Sequence, residues 1–112
     1  MPDLAATVPF SCPVVPRRDA VHVRPVGELD MGTVPELDAR LAELQIAGFD
    51  QIVLDLRGLS FIDSRGVRMM LDWNRRATDE GFAFAVIGGD PGVQRVLELT
   101  GAEPHLTFVA PG

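Results

Sequence analysis

Apolar and polar positions change period several times along this chain, and each change marks a predicted element. Ala20-Val21-His22-Val23-Arg24-Pro25-Val26 alternates apolar and polar residues, the two-residue period of a strand. Pro25 has no amide to give to a ladder, so that side of the strand belongs at an edge or a bulge. Upstream, Phe10 to Val15 is a candidate edge strand, with Pro13 and Pro16 limiting its pairing. Arg17-Arg18-Asp19 reads as the turn between the two. Gly27-Glu28-Leu29-Asp30 ends the second strand. Val34, Leu37, Leu41, Leu44 and Ala47 then recur at helical spacing. Thr33-Val34-Pro35-Glu36 reads as a capping box with proline in the first turn, and Gly48 is a natural stop.

Gln51-Ile52-Val53-Leu54-Asp55-Leu56 is almost wholly apolar, which suits a central strand covered on both faces. The next helix runs from about Arg65 to Glu80. Val67, Met70, Leu71, Asn74 and Thr78 form its expected core stripe, Ala77 lies beside it, and Gly81 ends it. Phe82 to Ile87 is another buried strand. Gly88-Gly89 turns, Asp90-Pro91 caps a shorter helix with Val93, Val96, Leu97 and Thr100 inward, and Gly101 stops it. His105 to Val109 makes a last short strand. The order is β-β-α-β-α-β-α-β. It predicts an α/β domain with right-handed crossovers, a mainly parallel sheet and an antiparallel N-terminal edge. A length of 112 residues suits one domain, with residues 1–9 expected as a loose tail.

Composition narrows the function. No apolar run approaches the length needed to cross a membrane, and no secretory signal is visible at the N-terminus. The one cysteine, Cys12, cannot form an internal disulfide, which suits a reducing, cytoplasmic setting; with no histidine near it, it reads as a small apolar residue. The formal net charge is −6, and all ten basic residues are arginine. An acidic domain without a basic stripe is a poor nucleic-acid binder, so no direct nucleic-acid partner is expected. No histidine, cysteine and carboxylate residues cluster at metal-ligand spacing. Gly88-Gly89-Asp90-Pro91 lacks the fuller pattern of a phosphate-holding loop, so a turn plus an aspartate cap explains it. No metal or cofactor is predicted.

The chemistry gathers at Phe61-Ile62-Asp63-Ser64-Arg65-Gly66-Val67, where a hydroxyl stands beside a carboxylate as a strand hands over to a helix. Ser64 there is either a cap for the free amides of the first turn or a place where an added phosphate is electrostatically welcome. Asp30, after the second strand, belongs to the same rim of strand ends. A serine nucleophile needs a base, usually histidine, but His22 is mid-strand, His105 starts the last strand, and no nucleophile elbow surrounds Ser64. No enzyme is predicted. Asp55 reads as a strand-end acid bonded locally. Met69 and Trp73 fall off the expected core stripe, one turn apart, and are either a partner anchor or a cover for the core rim.

Three segments, Ile52 to Leu56, Phe61 to Val67 and Val93 to Gly101, together with Gly27-Glu28-Leu29-Asp30, resemble the STAS domain of sulphate transporters and anti-sigma-factor antagonists. The resemblance covers about residues 18 to 109. It implies the STAS fold and, for small stand-alone bacterial members, binding to an anti-sigma factor that is also a GHKL-type Ser/Thr kinase. It implies Ser64 as the phosphoacceptor and Asp30 as the acidic position near it that helps form the partner surface; their place around Ser64 and along its helix adds Asp63, Arg65, Met69 and Trp73 to the expected partner-binding residues. Arg65 departs from the family, which usually has a small residue there, and could pair with a phosphate on Ser64. Many members continue into a further helix, whereas this sequence stops at Gly112. The resemblance leaves a second role open, as a scaffold subunit of a transporter ATPase or a stress-signalling assembly. Oligomeric state is not fixed; the proline-marked edge argues weakly against pairing through the sheet.

Overall fold

The computed structural model describes residues 9–111, so the expected tail lies outside them apart from Pro9. The strands are β1 (Val14–Pro16), β2 (Val21–Val23), β3 (Gly27–Leu29), β4 (Gln51–Asp55), β5 (Leu59–Ile62) and β6 (Ala83–Ile87). The helices are α1 (Val34–Ile46), α2 (Ser64–Glu80) and α3 (Pro91–Leu99). Short 3-10 turns occupy Leu56–Gly58 and Glu103–His105.

A four-stranded sheet has the order β1-β2-β4-β6, parallel except for the antiparallel β1 edge, as the alternation of elements predicts. β4 buries Ile52, Val53, Leu54 and Asp55 in succession, as its apolar run requires of a central strand. The core forms where Val21, Val23, Ile52, Leu54, Phe84 and Val86 meet Leu37, Leu41 and Leu44 of α1 and Met70 and Trp73 of α2.

The sequence misses a second sheet. Its second strand does not run on to Asp30: it stops at Val23, and Gly27 restarts the chain as β3 with φ near 109°, a backbone state that glycine adopts without strain. β3 pairs in parallel with β5, so Glu28 stands opposite Phe61 and Leu29 opposite Ile62. The β4-to-α2 connection read as a simple hand-over is therefore a 3-10 turn plus a strand.

The last strand, predicted from His105 to Val109, does not form. Glu103–His105 forms a 3-10 turn, and Asn74 Nδ2 donates to the His105 carbonyl at 2.9 Å. Beyond that turn, the segment pairs with β6 through a single bridge, Phe108–Val86. There the Val86 amide donates to Thr107 and Val86 accepts from the Val109 amide.

Candidate functional site

The site grows from the ends of β3 and β5. Because Leu29 and Ile62 are paired in parallel strands, the chain leaves both at the same rim, through Asp30 and Asp63. The Asp63 amide donates to the Leu29 carbonyl at 3.1 Å, which ties the start of α2 to the end of β3. Gly66 permits this closeness. A Cβ at that position would stand 2.9 Å from Ile62 Cγ1 and 2.9 Å from Leu29 Cδ2, inside contact distance.

Asp63 caps α2. Its backbone is extended, and Oδ1 accepts from the amides of Arg65 at 2.9 Å and Gly66 at 3.2 Å. The cap reading of Ser64 is thus corrected: Ser64 is the first residue of the helix, one position too late to cap it. Its side chain is exposed, and its hydroxyl has no hydrogen bond among the described residues. A substituent on that oxygen would displace no intramolecular bond.

Asp30 holds its own turn. Oδ1 accepts from the Gly32 amide at 2.9 Å and from Thr33 Oγ1 at 3.3 Å. The Thr33 hydroxyl also donates to the Glu28 carbonyl at 2.7 Å. Thr33 therefore makes no side-chain cap of α1, and the predicted capping box is not formed, because the β3–α1 turn has already claimed the hydroxyl. Met31, next to Asp30, leaves 63% of its surface exposed on this rim.

Met69 and Trp73 do not lie on an accessible flank. They are 6% and 1% exposed, inside a stripe of Gly66, Val67, Met69, Met70, Trp73 and Ala77. The core stripe of α2 is wider than predicted because the helix packs against α1 as well as β5 and β6. Leu71 and Asn74, expected at its centre, are half-buried, and Thr78 is exposed. Trp73 Nε1 donates to Asp38 Oδ1 at 2.8 Å, and the Arg76 guanidinium lies 4.2 Å from the ring centre. These two residues hold α2 to α1 rather than present a surface anchor.

Arg65 is exposed beside Ser64. With Ser64 and Arg65, four residues not read as site residues from the sequence, Val67, Arg68, Leu71 and Thr100, border a concavity of ≈ 410 Å³. The Ser64–Arg68 spacing of one turn was readable in the sequence, whereas Thr100 arrives through the placement of α3. Neither histidine borders the concavity. His105 sits against Asn74, ten residues beyond Ser64 and thus ~15 Å along the helix axis.

Asp55 is 3% exposed and bound by its neighbour: the Arg57 side chain donates to both carboxylate oxygens and the Arg57 amide to Oδ1. Burial pushes its pKa up, but the Arg57 bonds and the charges of Arg57 and Arg24 prevail, leaving it below the usual carboxylate value. At Gly88-Gly89, Asp90 caps α3 through the Val93 amide at 2.9 Å, and the Gly89 amide donates to Gln94 at 2.8 Å. No group of metal-ligating side chains assembles among the described residues, and no described helix is long and apolar enough to cross a membrane.

Residues 14–107 match the family model described as "Mlab, STAS domain". The anti-sigma-B factor antagonist of Staphylococcus aureus (strain NCTC 8325 / PS 47) is 29% identical over 80 residues, which is 71% of this chain and 74% of that protein. The anti-sigma F factor antagonist of Lysinibacillus sphaericus is 30% identical over 90 residues, 80% of this chain and 77% of that protein. The anti-sigma factor antagonist SpoIIAA in its unphosphorylated form superposes with a TM-score of 0.71 at 25% identity, covering 91% of this chain and 89% of that one. The Bacillus cell fate determinant SpoIIAA in its phosphorylated form gives a TM-score of 0.65 at 25% identity, covering 91% and 92%.

Proposed function

This chain belongs to the STAS domain family, and we propose that it is a cytoplasmic, non-enzymatic anti-sigma factor antagonist switched by phosphorylation of Ser64. Unphosphorylated, it binds an anti-sigma factor that is also a GHKL-type Ser/Thr kinase, and so frees a sigma factor. The kinase transfers the γ-phosphoryl group of its own ATP to the Ser64 oxygen. The bond to ADP breaks, a base on the kinase takes the hydroxyl proton, and the modified chain lets go.

The observation that carries this reading is the division of labour at the start of α2. Asp63 does the capping, which leaves the Ser64 hydroxyl exposed and unengaged. A phosphate there adds ~−1.5 to −2 charge where the helix end favours it, so the fold persists. Asp30 and Asp63 share the rim, and repulsion from their carboxylates plus the added bulk disfavours a docked partner. Arg65, Asp30 and Met31 complete the contact surface in this reading. Support also comes from relatives named as antagonists of anti-sigma factors and from a relative solved in both phosphorylated and unphosphorylated forms.

Incubating the chain with its kinase and ATP and mapping the phosphosite by mass spectrometry tests the assignment. Phosphate on Ser64, lost in Ser64→Ala, is the expected result. A Ser64→Ala protein that is still phosphorylated and released overturns it. Recovery of a transporter ATPase instead of a kinase in pull-downs would favour the scaffold role.

A further inference from the structure

Two guanidinium groups flank Ser64, and neither is held in a salt bridge among the described residues, although Asp38 and Asp72 line the groove on their other side. Arg65 follows it directly, and Arg68 stands one helical turn on, at the spacing that brings side chains together on one face. Both are exposed, and both border the same concavity as Ser64. The salt bridges among the described residues engage Arg40, Arg57 and Arg76, and neither of these two. The Asp63 carboxylate is turned to the amides of Arg65 and Gly66. Side chains on a helix lean toward its N-terminus, so Arg68 reaches back over the turn that carries Ser64.

We propose that Arg65 and Arg68 form a receiving site in cis for a phosphate on Ser64, an inference that rests on the phosphorylation proposed above. The ester would present three acceptor oxygens, and the planar fork of an arginine matches two of them at once. Arg68 approaches from one turn along the helix and Arg65 from the adjacent position. Half-buried Leu71 borders the same concavity. The switch then does more than add negative charge. Before modification, the rim shows two guanidiniums outside any salt bridge beside a neutral hydroxyl. Afterwards both are folded onto the phosphate and withdrawn from any acidic group of a partner.

The test uses the full chain with phosphoserine installed at position 64 during translation, and follows the second ionisation of the phosphate by 31P NMR. The midpoint in the parent should lie about one pH unit below that in the Arg65→Ala/Arg68→Ala variant. Arg68→Lys should recover part of the difference, since it restores charge without the fork. Equal midpoints in the parent and the double variant overturn the clamp. Matching thermal melts of the unphosphorylated forms separate this readout from a folding defect. No kinase enters the titration, so equal midpoints leave the switch itself standing. A shifted midpoint in a phosphoprotein that still holds its kinase upholds the clamp and overturns the switch.

Discussion

The indole nitrogen of Trp73 donates to the carboxylate of Asp38 at 2.8 Å, a bond between residues 35 positions apart that ties α2 to α1. Phe82 meets the same ring edge-on with centroids 6.3 Å apart. Asp38→Ala leaves a buried N–H without its acceptor and should cost about 1–3 kcal/mol. Trp73→Ala removes the core side chain itself and should cost about 3–5 kcal/mol. Urea unfolding measures both. Trp73 is the sole tryptophan, so its emission in Asp38→Ala reports directly on the helix contact.

Gly66 sets how closely α2 sits on β3 and β5. Gly66→Ala places a Cβ against Ile62 and Leu29 and should destabilise by about 1–3 kcal/mol, as overpacking does. Hydrogen exchange should quicken at the Asp63 amide, whose bond to Leu29 depends on that approach.

Much of this was legible in the chain. The extents of α1, α2 and α3, and the apolar runs of β4 and β6, follow from local patterns, but the inward faces do so only in part: Thr78 and Thr100, expected inward, are exposed. The missed features depend on distant partners. Leu59 to Ile62 is too short to read as a strand until Gly27 to Leu29 lies beside it. Trp73 fell outside the stripe because α1 covers a second face of α2, which one helix's period cannot reveal. At the site, the Asp63-Ser64 pair, Arg65 and Asp30 were readable, but the choice of capping residue turned on one position of phase.

Asp55 makes stability depend on acid. Its folded pKa is lowered from 3.8, so its contribution is present above the unfolded value and lost as pH falls through the folded one. Denaturation midpoints of the parent should therefore fall as pH drops below about 4, whereas Asp55→Asn should start lower and show a shallower slope. Parallel pH profiles for the two proteins would contradict the pairing with Arg57.

Cys12 is 7% exposed, and its thiol is pushed up to about 11 by burial first and then by the charge of Glu36, against the pull of Arg40. The thiolate is the nucleophile. Alkylation at pH 8 should be slow in the folded protein and fast in denaturant. Equal rates in the two states would show that the thiol is not enclosed.

In the proposed switch, a phosphate on Ser64 separates this chain from an anti-sigma factor kinase. The direct measurement is the dissociation constant of the kinase complex for the Ser64 form and for the phosphoserine form, by titration calorimetry at fixed salt. The phosphoserine form should bind more than a hundredfold more weakly, equivalent to about 3 kcal/mol, with unchanged circular dichroism. Equal affinities for the two forms would contradict it.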